Sequence, residues 1–542
     1  MSDAKMDIRS SDTDVLIVGA GPTGLVLALW LTRMGVRVRI VDKTAEPGTT
    51  SRALAVQART LEFYQQIGLA ETVVEHGREV TAVNLWVQGK RAAHAVLGDM
   101  GRGISPFAYA LIFPQDEHER LLVARLQEAG VEVERRTEVV NFREEQGASN
   151  GDGRVVARLK RPDGTEEECA AAYIAGCDGA HSIVRQKLGI GFPGGQYTHL
   201  FYVADVEGGG PVMNGELHVG LDTNEFLAVF PLKGEGRARL VGTIRDEAAS
   251  GHDDLSWGDV SKRVIEWMKV EVQRVNWFST YRVHHRVAEH FQQGRAFLLG
   301  DAAHIHSPVG GQGMNTGIGD AVNLAWKLAA VLQGRADASL LASYEPERIA
   351  FARKLVATTD EAFTGVTSAS TLARLVRLDL VPLLMPAVFQ FRAARRWLFR
   401  TVSQTAVQYR EGPLSEGRSG MVHGGDRLPW VRMGTSRGGA GTEDSRGHGV
   451  ADNFAPLTSL EWQAHVYGEA QGELRAVCET RKLPLHEFAW RPAMSRAGLR
   501  RNATYLVRPD GYVALAAFQD SGAAVGAYLD ARKIRTRARR PS

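Results

Sequence analysis

Three glycines and a carboxylate near the amino terminus have the residue types and spacing that hold a diphosphate. Gly19, Gly21 and Gly24 form a G-x-G-x-x-G run, and Asp42 follows about twenty positions later. The glycines permit a tight turn and let the main chain approach a pyrophosphate closely, while an acidic side chain can accept hydrogen bonds from a ribose. The pattern predicts a site for a dinucleotide cofactor.

A second glycine-rich stretch lies beyond the midpoint of the chain, from Gly300 to Asn315. Asp301 stands at its start, a loop rich in proline and glycine follows, and residues 318–328 then have the pattern of an amphipathic helix. Backbone N–H groups at the start of a helix attract electron-rich oxygens. This stretch therefore predicts a second contact with a nucleotide-type cofactor.

Apolar runs and helical patterns place both glycine stretches at the ends of strands. Residues 14–18 and 36–41 are runs typical of buried parallel strands, and residues 25–34 between them have helical periodicity. Residues 296–299 form a third apolar run directly before the second stretch. This order predicts an α/β fold with a Rossmann-like cofactor domain.

Three polar residues between the two stretches are further candidates. Arg52 lies in a segment whose arginines and glutamine could meet phosphate or ribitol oxygens. Gln115 stands near a predicted helix start, where its amide could reach a ligand or belong only to the helix entry. Asp178 follows the apolar run 169–175 and is either a ligand contact or a helix cap.

Residues 192–282 carry short, spaced β-type runs without a glycine fingerprint. They predict a mainly antiparallel sheet that is inserted into the cofactor domain and forms a wall of a substrate pocket. Tyr202, His218 and Phe230 are candidates for lining that pocket, and each is at least as compatible with an ordinary core position. Tyr202 and His218 are also the candidates for a general base, which the sequence does not identify.

The bulk composition argues against several classes of partner. The 542-residue chain is 44% apolar and 23% charged with a net charge of +3, so nothing in the total favours nucleic acid. Its three cysteines form neither a disulfide framework nor a metal site by spacing, which favours a reducing, cytoplasmic location. There is no signal-peptide pattern or membrane-spanning run. His304 and His306 are spaced i, i+2 without partner ligands, so no metal site is predicted.

Three motifs in one order resemble the FAD-dependent aromatic hydroxylases, the single-component flavoprotein monooxygenases typified by para-hydroxybenzoate hydroxylase and phenol hydroxylase. These motifs are the first glycine run with Asp42, then Cys177-Asp178-Gly179, then Gly300-Asp301 with its loop. The match spans most of residues 12–410. It is closest in style to polyketide-tailoring and hydroxyphenylpropionate-type members, which implies a thioredoxin-like C-terminal domain without redox cysteines.

The resemblance implies cofactor contacts at matching positions. From the diphosphate to the isoalloxazine ring, the implied FAD contacts are Gly19, Gly21, Gly24, Asp42, Arg52, Gln115, Asp178, Asp301, Pro308, Gly310, Gly311, Gly313, Met314 and Asn315. The family more often has Glu at the place of Asp42, and the shorter side chain could make the ribose contact indirect. The backbone at Pro308, Gly310 and Gly311 is also the candidate catalytic element, because its N–H groups could stabilise negative charge on the reduced flavin.

The implied reaction is a monooxygenation. NADPH or NADH docks transiently and reduces FAD, and a C4a-hydroperoxide formed with O₂ transfers one oxygen to an electron-rich phenolic or polyketide-type ring. Two alternatives stay open. One is Baeyer–Villiger, epoxidation or oxidative decarboxylation chemistry on the same scaffold, and the other is a non-catalytic flavin-binding protein. The expected partners are the aromatic substrate and O₂, with no nucleic acid and no integral membrane association, in a monomer or homodimer.

The pattern and the resemblance together predict a division of the chain. The expected parts are the first part of the FAD-binding domain, 12–191, with an excursion into the substrate domain near 78–113; the substrate-binding sheet domain, 192–282; the second part of the FAD-binding domain with a helical connector, 283–412; the thioredoxin-like domain, 413–531; and a basic tail, 532–542.

Overall fold

The structure is a computed structural model that describes residues 13–48, 53–96, 100–146, 153–222, 225–244, 255–307, 311–367, 390–434 and 452–536. Its strands are β1 (Thr13–Val18), β2 (Val38–Asp42), β3 (Ala55–Val56), β4 (Arg78–Val80), β5 (Ala82–Val87), β6 (Lys90–Val96), β7 (Ala110–Ile112), β8 (Val133–Arg135), β9 (Glu138–Glu145), β10 (Arg154–Lys160), β11 (Glu166–Gly176), β12 (Gly194–Gly209), β13 (Leu217–Leu221), β14 (Phe226–Pro231), β15 (Arg237–Ile244), β16 (Glu271–Val287), β17 (Gln292–Gln293), β18 (Ala296–Leu298), β19 (His304–Ile305), β20 (Glu416–Ser419), β21 (Val422–His423), β22 (Gln463–Tyr467), β23 (Leu485–Phe488), β24 (Thr504–Val507) and β25 (Val513–Ala517). Its α-helices are α1 (Pro22–Arg33), α2 (Ala58–Gln66), α3 (Ala70–His76), α4 (Gln115–Glu128), α5 (Ile183–Lys187), α6 (Arg263–Trp267), α7 (Gly313–Leu332), α8 (Tyr344–Thr367), α9 (Arg392–Val402), α10 (Gly472–Arg481), α11 (Pro492–Arg496) and α12 (Ser521–Ala531).

A mostly parallel sheet carries both glycine stretches. Its strand order is β17-β18-β11-β1-β2-β8, and every pair from β18 to β8 is parallel, while β10 and β9 extend it antiparallel from β11. The interior strand β1 ends at the first glycine run, and α1 and α7 pack against each other beside it. Because α7 is buried along most of its length, it needs the nearly continuous apolar surface that its sequence supplies. The predicted α/β fold is confirmed.

A second sheet brings together strands from three parts of the chain. Its order is β19-β16-β12-β15-β14-β13-β5-β6, and only β13 and β5 pair in parallel. The predicted antiparallel runs correspond to β12 to β15. The long strand β16 is absent from the sequence prediction, because charged and polar residues interrupt its apolar pattern. A small third sheet has the order β3-β7-β4, and β5 and β6 of the second sheet lie between its strands β4 and β7 in the chain.

The C-terminal residues form a separate mixed sheet with the order β21-β20-β25-β24-β22-β23. Strands β22 and β23 are parallel and are joined through α10, while β24 and β25 form an antiparallel pair. A turn at residues 508–511 joins that pair. Across the described ranges, no helix combines the length and the apolar character needed to cross a membrane.

Candidate active site

The three glycines of the first run differ in what a side chain at each position would meet. A Cβ on Gly19, whose φ is 102°, would lie 2.3 Å from the carbonyl oxygen of Cys177, and one on Gly24 would lie 2.0 Å from the Gly19 oxygen. Beside Gly21, by contrast, no atom lies within 4 Å of the missing Cβ. Gly21 is also the N-cap of α1 and makes no side-chain capping bond. The first and third glycines therefore allow close packing, and the second leaves open space in front of a helix N-terminus.

Asp42 braces the glycine turn with its carboxylate. Its Oδ2 accepts a hydrogen bond of 2.6 Å from the backbone N–H of Ala20, and its Oδ1 accepts one of 2.8 Å from the N–H of Thr44. The guanidinium of Arg135 lies 3.7 Å from Oδ2. The carboxylate stands at the carboxyl end of β2 as predicted, but its first partners are backbone groups of the turn itself.

Asp178 takes one of the two roles that the sequence leaves open, the support of a helix start, and keeps an oxygen that could serve the other. Its Oδ2 accepts hydrogen bonds from the backbone N–H groups of Ile183, at 2.7 Å, and Val184, at 3.3 Å, and so supports the start of α5. Its Oδ1 is buried and has no partner among the described residues. Burial raises the pKa of this carboxyl group. The space beside Gly179 is open, since nothing lies within 4 Å of a Cβ placed there. One oxygen of Asp178 thus remains for a ligand.

The Gly300-Asp301 motif packs directly on the first glycine run. Gly300 has a φ of 59°, and a Cβ at this position would lie 2.7 Å from Oγ1 of Thr23 in the first turn of α1. The Gly300 N–H donates to the buried carboxylate of Asp320, at 3.0 Å. Asp301 follows as the one exposed residue of a turn of 3₁₀ helix, Gly300–Ala302. The two halves of the predicted site, distant in sequence, therefore meet at Thr23.

Asn315 holds the second glycine loop in place. Its Oδ1 accepts hydrogen bonds from the N–H of Gln57, at 2.9 Å, and from the Thr60 hydroxyl, at 2.7 Å. Its Nδ2 donates to the carbonyl oxygens of Ala55 and Gly311, both at 2.8 Å. Because the amide is buried and fully engaged, the Asn315 side chain orients the loop. The contact with the flavin ring that the sequence predicts for Asn315 would therefore be made by its backbone and not by its side chain.

The remaining predicted loop residues lie around this anchor. Gly313 and Met314 are half-buried at the first turn of α7. Gly311 is also half-buried, and a Cβ there would lie 2.8 Å from Cβ of Ala55. Three predicted site residues lie outside the described residues, namely Arg52, Pro308 and Gly310.

Gln115 begins α4, and its side chain stays within that helix. Its Nε2 donates a hydrogen bond of 2.7 Å to Oε1 of Glu119, and its backbone N–H donates to the Ala53 carbonyl oxygen at 3.1 Å. The other oxygen of Glu119 accepts from the N–H of Gly48, at 3.0 Å. Gln115 thus takes the helix-entry position that the sequence left open beside the ligand role, and it also links α4 to the chain on either side of Arg52.

A buried charge network supports the second glycine stretch, and the sequence prediction missed it. Asp320 of α7 accepts from His304 Nε2 at 2.7 Å and from Arg348 Nε at 2.6 Å. Burial alone would raise the pKa of Asp320, but the charges of Arg348 and His304 outweigh it and lower that pKa. Arg348 also donates to the hydroxyl of Tyr409 at 2.8 Å. The sequence signal that could have indicated it is an acidic residue, Asp320, in a largely apolar helix.

The three predicted substrate residues do not share one face of the second sheet. Tyr202 packs against Trp257 and Phe278, with ring centroids 6.1 and 6.2 Å apart, on the face that α6 covers. His218 lies on the same side, where its ring accepts from Trp86 Nε1 at 3.0 Å and contacts Asn214 Oδ1 at 2.8 Å. Burial lowers the pKa of His218 to about 4. Neither side chain faces the glycine loop.

Phe230 lies on the opposite face, together with half-exposed aromatic side chains that the sequence prediction missed. They share one apolar cluster with it, and they are Phe226, Trp277 and Tyr281. Phe230 also belongs to a small cluster that contains Ala55, the residue in contact with Gly311. This face of the sheet, here called the aromatic face, is therefore turned toward the second glycine loop.

An ion pair crosses the aromatic face. Arg239 donates two hydrogen bonds to the carboxylate of Asp205, at 2.6 and 2.8 Å, and its guanidinium lies 5.4 Å from the centre of the Trp277 ring. The Arg239 side chain is buried, and Asp205 is partly exposed. A polar pair among aromatic rings gives this wall both apolar contact surface and a fixed charge arrangement.

Comparison with known proteins identifies the family. Residues 12–359 match the family model described as an FAD binding domain. A 6-methylpretetramide 4-monooxygenase from Streptomyces rimosus is 34% identical over 540 residues, which cover 94% of this chain and 91% of that relative. The chain belongs to the FAD-dependent aromatic hydroxylases. The membership predicted from the three motifs is thereby confirmed.

Solved structures of this hydroxylase family have the same fold along nearly the whole chain. The OxyS anhydrotetracycline hydroxylase from Streptomyces rimosus superposes with a TM-score of 0.74 at 29% identity, over 97% of this chain and 100% of that chain. CabE, an aromatic hydroxylase from angucycline biosynthesis, gives a TM-score of 0.71 at 26% identity, over 93% and 96%. The protein is an FAD-dependent monooxygenase, and reduction by NAD(P)H is typical of its family.

The residues of this hydroxylase fit FAD. The open space at Gly21 lies at an uncapped helix N-terminus, which suits a diphosphate. Oδ1 of Asp178, which has no partner among the described residues, can accept a hydrogen bond from a hydroxyl group, and Asp301 presents an exposed acidic side chain after the second motif. Among the described residues, no group of three or more potential metal ligands is present.

Proposed function

We propose that this enzyme hydroxylates an electron-rich aromatic ring of a polycyclic, polyketide-type phenol. The single observation that carries the proposal is the position of the aromatic face. Phe230 packs in one cluster with Ala55, and Ala55 meets Gly311 of the loop that follows the cofactor motifs. A flat substrate between this face and the loop would contact aromatic rings on one side and the cofactor on the other.

Bound FAD supplies the redox chemistry, taking electrons from NADPH or NADH and delivering them to O₂. The protein residues hold this cofactor and the substrate in register and exclude water. Gly21 and the start of α1 hold the diphosphate, and Asp178 and Asp301 accept hydrogen bonds from hydroxyl groups. The backbone from Gly311 to Met314 at the start of α7 adjoins the ring, where its N–H groups stabilise negative charge.

The remaining predicted contacts follow from their positions. Asp42 approaches the adenosine ribose beside its bonds to the turn, and Gln115 together with Arg52 borders the phosphate and ribitol region. Pro308 and Gly310 complete the loop whose backbone acts in catalysis. The close packing of the first glycine run depends on Gly19 and Gly24. The second glycine loop is held by Gly313 and Asn315 at the start of α7. Phe230 contacts the substrate, whereas Tyr202 and His218 act from the covered face of the sheet as structural residues.

The C-terminal sheet is assigned as a thioredoxin-like domain. The order β25-β24-β22-β23, with one parallel pair joined through a helix and one antiparallel hairpin followed by α12, supports this assignment. Cys478 is the single cysteine of the region and is buried, so a redox role of that domain has no support. We propose that the domains end at residues 191, 282, 412 and 531, as the sequence predicts. We also propose that the enzyme is cytoplasmic and is a monomer or a homodimer.

Product analysis tests the reaction. The FAD-loaded enzyme is incubated with NADPH or NADH, isotopically labelled O₂ and a panel of polycyclic phenols, and mass spectrometry follows the products. We expect one phenol to gain one labelled oxygen atom and to accelerate bleaching of the flavin absorbance under anaerobic conditions. Bleaching and reoxidation without any product that carries labelled oxygen would contradict hydroxylation.

A substitution of Asp301 tests the cofactor assignment separately. Asp301→Ala removes an exposed carboxylate, so we expect an intact fold and FAD binding weakened by about tenfold, the effect of one net hydrogen bond. Fluorescence quenching of FAD titrated into the apoprotein measures the affinity. Asp116→Ala, in the half-buried first turn of α4, is the control, and equal affinity of both variants for FAD would exclude the role given to Asp301.

A further inference from the structure

His306 has one ring nitrogen engaged and one without a partner in the described part of the chain. Its Nδ1 lies 2.8 Å from the carbonyl oxygen of Ser307. A carbonyl oxygen only accepts, so Nδ1 carries the proton, and in the neutral ring Nε2 is then an acceptor. This Nε2 is buried, and no described residue gives it a hydrogen bond. Such an atom is costly unless a ligand satisfies it.

The imidazole of His306 is held in a fixed orientation and in its neutral form. It stacks on the ring of His304, with centroids 6.5 Å apart and planes 13° from parallel. His304 is itself fixed by its bond to Asp320. Burial lowers the pKa of His306 to about 4, so the ring is uncharged at neutral pH and Nε2 keeps its lone pair. The ring therefore presents an acceptor that no described residue satisfies.

The unpartnered nitrogen adjoins the start of α7. A Cβ placed on Gly313, the first residue of that helix, would lie 3.8 Å from both Cε1 and Nε2 of His306. The helix start has no side-chain cap. A ligand group at this corner would meet backbone N–H donors from the helix and one acceptor from His306, so its recognition needs both an acceptor and a donor.

We propose that His306 is a positioning residue of the hydroxylase, which accepts through Nε2 a hydrogen bond from an N–H or O–H group of FAD at the first turn of α7. The inference rests on the FAD placement given above and adds the side chain that reads the cofactor at this corner. FAD offers suitable donors in its ring N–H and its ribitol hydroxyls, whereas its phosphates only accept. A phenolic hydroxyl of the substrate is the competing donor, and the two sources separate by experiment.

Two variants at one position isolate the acceptor. His306→Phe keeps a flat ring but removes Nε2, and His306→Gln places an amide oxygen near the position of that nitrogen. The full-length apoprotein is titrated with FAD in the absence of substrate. We expect His306→Phe to bind FAD about tenfold more weakly and His306→Gln to stay within about threefold of wild type, the effect of one hydrogen bond. The absorption spectrum of the bound flavin is expected to shift only in His306→Phe.

Thermal unfolding of each apoprotein separates a folding defect from lost recognition, and His306→Leu replaces His306→Phe if the larger ring unfolds the chain. His486→Phe, in the C-terminal sheet, is the matched control and should bind FAD as wild type does. The inference is overturned if His306→Phe and His306→Leu bind FAD normally, with or without a raised KM for the phenol, or if His306→Gln is as weak as His306→Phe. Because FAD affinity is measured without turnover, failure of the hydroxylation assay would leave this result intact.

Discussion

Arg508 and Glu347 form a bidentate ion pair in which both side chains are completely buried. Arg508 Nη1 and Nη2 donate to the two carboxylate oxygens of Glu347 at 2.6 and 3.1 Å. Arg508 lies in the turn between β24 and β25, and Glu347 lies in α8. The same carboxylate accepts from Lys327 Nζ of α7 at 2.9 Å. The C-terminal sheet is therefore connected through Glu347 to α7, the helix whose first turn we assign to the FAD site.

Removal of Arg508 should weaken the whole chain. Arg508→Ala leaves Glu347 buried with less compensating charge, so we expect a loss of ~3–5 kcal/mol in the free energy of unfolding. Urea unfolding followed by circular dichroism measures it. Arg508→Lys keeps the charge without the planar fork and should lose less. An Arg508→Ala protein within about 1 kcal/mol of wild type would show that the pair contributes little beyond an apolar contact.

Acid should destabilise the protein through Glu347. Burial alone would raise the pKa of this carboxyl group, but Arg508 and Lys327 hold it at about 2, below its ordinary 4.5. A carboxyl group with a lowered folded pKa stabilises above its unfolded pKa, and this stabilisation of about 3 kcal/mol disappears as the pH falls from about 4.5 to about 2. We expect Glu347→Gln to be less stable at neutral pH and to show a shallower loss in acid. Parallel slopes for the two proteins would exclude Glu347 as the source.

Lys327 should act at the alkaline end of the same network. Burial lowers its pKa to about 8 from the ordinary 10.5. Between these values the unfolded chain binds the proton more strongly, so this group makes stability rise with pH across that window. Lys327→Met, which keeps an apolar stem, should remove the rise, and Lys533→Met on the surface is the control. Urea midpoints of the wild type and both variants, measured from about pH 8 to about pH 10, show whether the rise in stability depends on Lys327.

Two glycine substitutions should have opposite consequences. Gly24→Ala forces a Cβ to 2.0 Å from a backbone oxygen, so we expect an unfolded or strongly destabilised protein. Gly21→Ala has room in the apoprotein but fills the space before α1, so the fold should persist while FAD binding weakens by about tenfold or more. Apoprotein melting and FAD titration measure the two effects. Wild-type FAD affinity in Gly21→Ala would place the diphosphate elsewhere.

The two faces of the second sheet give a matched test of substrate contact. Phe230→Ala removes ring surface from the aromatic face, so we expect the KM for the phenol to rise about tenfold with unchanged FAD affinity. Tyr202→Phe, on the covered face, should leave kcat and KM within about twofold because only a hydroxyl is lost. Steady-state kinetics with the phenol found by product analysis measures both. A large loss of kcat in Tyr202→Phe would instead support Tyr202 as the general base.

The predictable part of the site consisted of residues whose role depends on local chain geometry. Gly19 and Gly24 are required by close backbone approaches, and Asp42 follows its strand at the spacing that brings it back to the turn. Asp178 supports the start of α5 as anticipated, and its role as a ligand contact stays a prediction that rests on an oxygen with no partner among the described residues. These features follow from a strand, a turn and a helix that are adjacent in sequence.

The missed residues depend on contacts between distant parts of the chain. Trp277 lies in a strand whose charged neighbours hide its period, and only pairing with β12 sets which face it occupies. Tyr202 and His218 were plausible pocket residues by type, but one step of register places each on the covered side. The buried network of Asp320 was invisible because its partners lie 16 and 28 residues away.

The sequence by itself determined the family, the α/β framework and the cofactor, because glycine fingerprints between strands and helices impose local geometry that few other residues tolerate. Tertiary structure decided which side chains meet at the site. Sheet register turns Phe230 toward Gly311 and Tyr202 away from it, and the fold brings Nε2 of His306, which has no partner among the described residues, close to Gly313. Side chains of successive strand residues alternate between the two faces of a sheet. Only the long-range pairing of strands could therefore decide which face each side chain occupies.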